Sequence, residues 1–221
     1  MKISKATVEI LRNYASINQN ILIKTGNVLT TRTVAKNLFA TATVDTDFPQ
    51  DVGIYNLSTF LGVLSLFSDP DITLSDKAIV ISQGKNKVQY TLAAPDVLDY
   101  PDKAINMPAS DAEFELSEEN LKSLLKAGAV LSSTDLKISG DGATIACTVL
   151  DPKNVAANTF TVEVGETDRT FEVFIKLENL KLLTGKYNVK LSEKKIAHFE
   201  NVSVSYSLYI AAEKNSTWEP V

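Results

Sequence analysis

Few residues of this sequence belong to the types that most often carry out catalysis or bind transition metals. The 221 residues include one cysteine, Cys147, and one histidine, His198. A single cysteine excludes a disulfide framework and a multi-cysteine metal site, and a single histidine leaves little for histidine-based zinc or triad chemistry. Cys147 alternates with the apolar residues Ile145 and Val149, which predicts a buried strand residue. We expect His198 to be either structural or exposed, and the sequence predicts neither a cofactor nor a metal.

Carboxylates around Pro49 are the remaining candidate for a catalytic or metal site. Asp45, Asp47 and Asp51 lie close together in the sequence. An enzyme at this position would need a pocket that perturbs the pKa values of these acids, whereas a solvated acidic loop is the more common structure for such a cluster. The sequence contains no phosphate-binding loop, nucleophile elbow or paired-histidine zinc motif. A protein that is not an enzyme is therefore predicted.

Basic residues recur at intervals of one or two helical turns on three predicted helices. Lysine and arginine at such spacing form a stripe on one helix face, where they can contact phosphates without reading bases. A solvated helix face is the ordinary explanation for any one stripe, but the basic positions match between the two halves of the chain. The stripes comprise Lys5 with Arg12, Lys122 with Lys126, and Lys176 with Lys181.

The spacing of apolar residues places these stripes on helices that alternate with short strands. In the first half, helices are predicted over Ser4–Asn18, with its first residue as the N-cap, and over Asn56–Phe67. In the second half, a helix is predicted over Ser117–Ser132 and a short helix over Leu177–Leu183. The intervening segments are predicted to form short strands.

The second half repeats the first in units of about 110 residues, each with the order helix, strands, helix, strands. The match aligns Leu11 with Leu124 and Tyr55 with Ile175. Residues 93–111 interrupt the pattern with three prolines and four aspartates, which is typical of a linker between domains. The predicted fold class is α+β with two similar domains, 1–92 and 112–221, joined by the linker 93–111.

Composition sets further limits on function. Apolar residues make up 44% and charged residues 22% of the chain, which is an ordinary globular balance and argues against wholesale disorder. No apolar run approaches the roughly 20 residues of a spanning helix, so no membrane partner is expected. The net charge of −5 argues against a protein that coats nucleic acid with its whole surface.

Three segments carry a resemblance to a known family. The runs KISKATVEILRNYASIN at 2–18, IYNLSTFLGVLSLF at 54–67 and ELSEENLKSLLK at 115–126 resemble the DNA polymerase sliding clamps of T-even-type bacteriophages. The spacing of aromatic, glycine and leucine residues in the second run is the most specific part. The similarity spans essentially the whole chain and is weakest in the strands of the second half, including Asp151–Asn158.

The resemblance implies a ring of three subunits, each with two similar domains, in which helices line a central hole and antiparallel sheets form the outside. Such a processivity factor is expected to encircle duplex DNA without sequence specificity, to tether the replicative DNA polymerase and to depend on an ATP-dependent clamp loader. The clamp itself is not an enzyme, and its expected location is the cytoplasm of the infected bacterial host. Because helices line the central hole in this family, the resemblance implies that the residues of the three basic stripes bind DNA.

The resemblance also implies a subunit interface and a pocket for partner peptides. The interface is expected to pair an edge strand at 87–92 with one at 159–164 of the neighbouring subunit, through Val88, Tyr90, Leu92, Phe160, Val162 and Val164. The peptide pocket is expected near the linker, with Trp218 as a further candidate, and would be lined by Val97, Leu98, Tyr100, Ile105, Tyr209 and Ile210.

A size estimate is consistent with three subunits. A domain of about 110 residues has a diameter of roughly 33 Å as a uniform sphere, and six such spheres in a ring leave a hole of about one diameter. Four spheres leave only about 14 Å, which is too narrow for B-DNA of roughly 20 Å. The alternative is a non-enzymatic, two-repeat scaffold that binds another protein through its sheet and does not encircle DNA. Such a scaffold would have no reason to align basic helix faces around one surface.

Overall fold

The structure, a computed structural model, describes residues 1–154 and 156–219. It divides into unit 1, Met1–Ala104, and unit 2, Ile105–Val221. The predicted domain bounds of 1–92, 93–111 and 112–221 stay a prediction.

Unit 1 contains two helices and seven strands among the described residues. The helices are α1 (Lys5–Ala15) and α2 (Leu57–Leu64), and Pro95–Val97 forms a 3₁₀ turn. The strands pair antiparallel as β1 with β4, β2 with β3, and β6 with both β5 and β7. Their bounds are β1 Ile21–Ile23, β2 Gly26–Arg32, β3 Leu38–Phe48, β4 Val52–Ile54, β5 Asp71–Leu74, β6 Ala78–Gln83 and β7 Asn86–Thr91.

Local signals set the ends of both helices. The Ser4 side chain accepts a hydrogen bond from the backbone N–H of Thr7 at 3.0 Å, which confirms the predicted N-cap. Asn56 caps α2 in the same way through the N–H of Thr59. The helices end earlier than predicted, at Ala15 and Leu64, because the following residues continue as turns.

Unit 2 contains one α-helix, α3 (Glu118–Leu131), and nine strands among the described residues. One antiparallel sheet has the order β11-β10-β9-β12-β16, and in a second set β15, β14, β13 and β8 pair in that order. The bounds are β8 Ala112–Leu116, β9 Asp135–Asp141, β10 Thr144–Leu150, β11 Phe160–Glu166, β12 Thr170–Lys176, β13 Tyr187–Ser192, β14 Ile196–Asn201, β15 Tyr206–Ala211 and β16 Thr217–Trp218.

Helix α3 packs on the sheet of order β11-β10-β9-β12-β16 and forms one part of the core of unit 2. Leu121 and Leu124 of α3 are buried, and so is Cys147 on β10, which confirms its predicted burial. Gly128 lies so close to this core that a Cβ there would be 2.8 Å from Leu177 Cδ1, so the absence of a side chain permits the close packing of the helix. Burial raises the pKa of the Cys147 thiol to about 12, so the side chain behaves as a small apolar residue.

The predicted helix over Leu177–Leu183 is wrong. The structure has only a 3₁₀ turn, Leu177–Asn179. Beyond it, the buried Tyr206 donates its hydroxyl hydrogen to the carbonyl oxygen of Lys181 at 2.7 Å, and the buried Tyr187 donates to that of Leu183 at 2.9 Å. These hydroxyls satisfy backbone carbonyls that a helix would have paired internally. In the part of unit 2 that the structure describes, only the first helix of unit 1 is therefore repeated.

The predicted alignment of the two halves is also wrong by one residue at this point. Ile21 pairs with Ile54 in unit 1, and the equivalent Leu136 pairs with Ile175 in unit 2. Ile54 and Ile175 are both fully buried, whereas Tyr55 is 59% exposed. The counterpart of Ile175 is therefore Ile54. None of the helices in the described ranges is long and apolar enough to span a membrane.

Candidate nucleic-acid interface

Helix α1 presents a charged stripe on the side opposite its core. Thr7, Leu11 and Tyr14 are fully buried, and the exposed face carries Lys5, Glu9 and Arg12 at positions that share one side of a helix. The Arg12 guanidinium forms an ion pair with Glu9, one turn earlier. Within residues 1–154 and 156–219, Lys5 forms no ion pair. Two cations thus accompany one carboxylate on this face.

Helix α3 repeats the stripe with a different charge balance. Lys122 forms an ion pair with Glu118, one turn earlier, and Lys126 continues the exposed face. Glu119 is also exposed, so two cations accompany two carboxylates. The structure thus places four of the predicted DNA-binding residues, Lys5, Arg12, Lys122 and Lys126, on the solvent sides of equivalent helices.

Helix α2 lies against α1 and carries no charged residue. A groove of about 230 Å³ separates the two helices and has an apolar floor that includes Val8 and Leu61. Lys5 and Arg12 line it from α1, and Ser65 and Ser68 lie on the other side. The Ser65 hydroxyl already donates to the carbonyl oxygen of Gly62 at 2.7 Å. The groove therefore attracts phosphates through the cations of α1, with Glu9 in the same lining opposing them.

Lys176 and Lys181 do not lie on a helix, contrary to prediction. Lys176 is the last residue of β12, and its Nζ donates to both carboxylate oxygens of Asp135 at 2.8 and 2.9 Å. The Asp135 side chain is 1% exposed, and this hydrogen bonding raises the pKa of Lys176. The Lys176 charge is therefore engaged within the unit, while the half-buried Lys181 lies in the irregular segment after the 3₁₀ turn. Their contact with DNA stays a prediction.

Asp135 has a role that the sequence alone does not reveal. Asp135 and Lys176 are adjacent because β9 and β12 pair at this position. They are 41 residues apart, so no local spacing signals the pair.

Both predicted interface strands lie at sheet edges in the described part of the chain. β7 pairs with β6 alone, and β11 pairs with β10 alone. Each therefore has one side with backbone N–H and C=O groups available for a further strand.

The side chains predicted for the interface face mostly inward. Tyr90 packs edge-on against Phe60 at 5.3 Å between ring centres and donates to the carbonyl oxygen of Asn56 at 3.0 Å. Burial raises the pKa of Tyr90. Val162 lies opposite the buried Cys147. The remaining members are half-buried, with Leu92 just beyond the end of β7, and comprise Val88, Leu92, Phe160 and Val164.

The residues predicted for the peptide pocket differ in accessibility. In unit 1, Val97 is 56% exposed, Leu98 is buried, and Tyr100 lies under the ammonium group of Lys24 at 5.5 Å. In unit 2, Ile105 is 39% exposed and Ile210 is fully buried.

Tyr209 stacks on His198 with ring centres 4.2 Å apart. His198 is buried, and neither ring nitrogen has a hydrogen-bond partner within the described ranges. Burial lowers the pKa of His198, so the ring is neutral at pH 7. Of the two expectations for His198, the structural role is confirmed. Trp218, the further candidate, stacks on Phe171 of its own unit at 4.5 Å.

Two of the carboxylates near Pro49, Asp45 and Asp51, are held in their charged form by hydrogen bonds. Asp45 accepts hydrogen bonds from the hydroxyls of Ser4 and Thr7, and Asp51 accepts from Lys24 and from the N–H of Thr25. These hydrogen bonds lower the pKa values of both acids, whereas a general acid needs a raised pKa. No group of three or more potential metal ligands occurs among residues 1–154 and 156–219.

Comparison with known proteins gives matches over nearly the whole chain. A family described as "DNA polymerase processivity factor" matches residues 2–98, and one described as "gp45 sliding clamp, C terminal" matches residues 113–214. The sliding clamp of Escherichia phage RB69 is 31% identical over 98% of this chain and 99% of that protein.

Two solved structures share the fold. The proliferating cellular nuclear antigen of Entamoeba histolytica has a TM-score of 0.67 at 15% identity, covering 93% of this chain and 94% of the other. The Helicobacter pylori beta clamp bound to a DNA ligase peptide has a TM-score of 0.74 at 17% identity, covering 97% of this chain and 65% of the other. The predicted α+β class with two similar domains is confirmed. The chain belongs to the sliding-clamp family of DNA polymerase processivity factors.

Proposed function

We propose that three copies of this sliding clamp close into a ring around duplex DNA, with α1 and α3 turned toward the DNA, and hold a replicative DNA polymerase on its template. The observation that carries the proposal is the presence of two basic residues on the exposed face of each first helix, α1 and α3, although, counted from the capping serines Ser4 and Ser117, these residues do not occupy equivalent positions. Lys5 and Arg12 occupy the first helix of unit 1, and Lys122 and Lys126 occupy the equivalent helix of unit 2.

Contacts of this type suit a protein that moves along DNA. Lysine and arginine attract phosphates without distinguishing bases, so binding is independent of sequence and weakens with salt. Each cation acts within about 10 Å at 0.1 M salt, so the lining acts locally even though three chains together carry 3 × −5 = −15. The acidic remainder of the surface then discourages DNA from binding outside the ring.

Ring closure is proposed to join the edge strand β7 of one subunit to β11 of the next. Both strands have one unpaired side in the described part of the chain. An antiparallel or parallel pair would satisfy backbone groups that otherwise remain exposed. Because the apolar side chains of both strands pack inward, we assign most of the directional bonding to the backbone.

Partner proteins are proposed to dock through short peptides near the linker, where Val97 and Ile105 are exposed and Tyr209 is half-buried. The related H. pylori clamp is bound to a DNA ligase peptide, which supports a peptide mode for this chain. An ATP-dependent loader is proposed to open the ring. We propose no catalytic activity for the clamp itself, and its working place is the cytoplasm of the infected bacterial host.

Solution mass and processivity test the proposal together. Sedimentation equilibrium is expected to give about three times the chain mass of 24.1 kDa. In a primer-extension assay with polymerase and loader, the clamp is expected to lengthen products. Charge reversal by Arg12→Glu and Lys126→Glu is expected to reduce loading roughly ten-fold, since each change removes an attraction and adds a repulsion in every subunit, while the mass stays that of a trimer. Unchanged loading by the doubly reversed trimer would show that α1 and α3 do not face DNA.

A further inference from the structure

We propose that Glu9 and Glu118 act as internal competitors of DNA, occupying Arg12 and Lys122 so that the ring contacts phosphates more weakly than its cation count suggests. The inference rests on the proposed DNA-facing position of α1 and α3. It assigns a role to two carboxylates on surfaces where a DNA-binding protein would otherwise be expected to carry only basic or neutral residues.

The two ion pairs have the same form in the two units. In each, the glutamate lies one turn before its cation, as i,i+3 in Glu9–Arg12 and i,i+4 in Glu118–Lys122. A glutamate on the N-terminal side of its partner is the favourable orientation for such a pair. The side chains are 43–64% exposed, so each pair lies at the solvent surface where an incoming phosphate would meet it.

The two glutamates divide the basic residues of each helix into one engaged cation and one available cation. Lys5 and Lys126 form no ion pair among the described residues, while Arg12 and Lys122 are paired. A phosphate that binds Arg12 or Lys122 must first displace the carboxylate. Because exposed helix pairs are weak, the expected reduction is only roughly two-fold per site, which weakens the contact without abolishing it.

Weak contact serves a ring that is retained by its closed shape. Such a ring gains nothing from tight binding, because every phosphate contact has to break before the ring can move. The carboxylates would lower this resistance to sliding while the available cations Lys5 and Lys126 keep the DNA centred. The arrangement therefore favours fast movement along DNA over high affinity.

The test compares three substitutions that each raise the charge of the chain by one unit. Glu9→Gln and Glu118→Gln release a paired cation. Glu119→Gln is the matched control, because Glu119 is exposed beside Glu118 and forms no ion pair in the described part of the chain. Glutamine preserves helix propensity, and circular dichroism together with sedimentation would verify folded trimers.

Binding of each trimer to a short linear duplex is measured by fluorescence anisotropy over a range of salt concentrations. Glu9→Gln and Glu118→Gln are expected to bind roughly two-fold more tightly per released site than Glu119→Gln. The slope of log K against log salt is expected to steepen by up to about 0.9 for each phosphate newly engaged. Loaded rings of these two variants are also expected to diffuse more slowly along stretched DNA.

Arg12→Glu and Lys126→Glu, measured in the same assay, separate the two ways in which the inference can fail. If Arg12→Glu weakens binding while Glu9→Gln and Glu118→Gln match the Glu119→Gln control, the helices face DNA but the carboxylates do not compete, and the inference is overturned. If Arg12→Glu, Lys126→Glu, Glu9→Gln and Glu118→Gln all leave binding unchanged, neither α1 nor α3 faces DNA, and the proposed lining falls together with the inference.

Discussion

Each unit has an equivalent first helix, α1 in unit 1 and α3 in unit 2. The units differ in the segment that follows a pair of strands, β1 with β4 in unit 1 and β9 with β12 in unit 2. In unit 1, the chain leaves β4 and forms α2, which packs beside α1. In unit 2, the chain leaves β12 and makes only a 3₁₀ turn before a segment held by the hydroxyls of Tyr187 and Tyr206. The same strand pairing thus permits two continuations, and side chains from later strands decide between them.

The difference extends to charge. Both units keep their helix cations at the surface, but unit 2 also uses Lys176, at the end of β12, to neutralise the buried Asp135. Its helix α3 carries as many carboxylates as cations on the exposed face, while α1 carries an excess of one cation. If both helices face DNA, unit 1 supplies the stronger attraction to phosphates.

The largest expected effect concerns the edge strands, β7 in unit 1 and β11 in unit 2. Successive residues of a strand point their backbone groups to opposite sides, so of Thr161 and Val162 one faces β10 and the other faces the open edge. Proline removes the N–H. We expect one of Thr161→Pro and Val162→Pro to give folded monomers by sedimentation and circular dichroism, and the other to destabilise the sheet itself. Tyr90→Pro on β7 is expected to abolish the trimer as well.

Val162→Ala is the matched control for the proline changes, since it shortens the side chain and keeps the N–H. It should remain a trimer if backbone pairing closes the ring. Intact trimers from both β11 proline variants would place the interface elsewhere.

A smaller effect is expected at the ion pair that distinguishes unit 2. Lys176→Ala leaves the buried Asp135 carboxylate without its cation, and we expect a loss of roughly 2–3 kcal/mol in the free energy of unfolding, reduced from the fully buried case because Lys176 is partly exposed. Denaturant unfolding at pH 7 measures it. Lys126→Ala on the exposed face of α3 should change stability by no more than about 0.5 kcal/mol.

Adding Asp135→Asn to Lys176→Ala should restore part of the lost stability, because it removes the unpaired charge. Equal losses from Lys176→Ala and Lys126→Ala would contradict the assignment of Lys176 to a structural pair.

The smallest expected effect is acid sensitivity confined to unit 2, which contains the chain's one histidine. Burial, with a contribution from Lys190, lowers the pKa of His198 below its ordinary 6.5, against an opposing effect of Glu200. Protonation therefore favours the unfolded state, so the stability from the neutral ring is complete above pH 6.5 and is lost as the pH falls from there through the lower pKa of the folded state. Urea midpoints at pH 7.5 and 5.5 should differ in the parent chain, and His198→Phe should reduce the difference. An unchanged difference in His198→Phe would assign the acid sensitivity to other groups.

Sequence alone was sufficient for features that depend on neighbouring residues. The capping serine Ser4 and the apolar spacing of α1 and α3 predicted those helices to within a few residues, and alternation predicted the burial of Cys147. The loss of the helix after β12 could not be predicted, because it depends on the hydroxyls of Tyr187 and Tyr206 from later in the chain. The ion pair between Lys176 and Asp135 could not be predicted from the sequence for a similar reason, because the two residues become neighbours only when β9 and β12 pair. The basic stripes of α1 and α3 were predictable because helical spacing is local.

Topological retention tests the central claim, encirclement of duplex DNA, most directly. Clamp is loaded onto a nicked circular plasmid, free protein is removed, and the clamp that stays with the DNA is measured before and after a single restriction cut at moderate salt. A ring that encircles DNA should remain on the circle and slide off the linear product, so retention should fall sharply after the cut. Equal retention on circular and linear DNA would contradict encirclement and would favour a protein that binds DNA from one side.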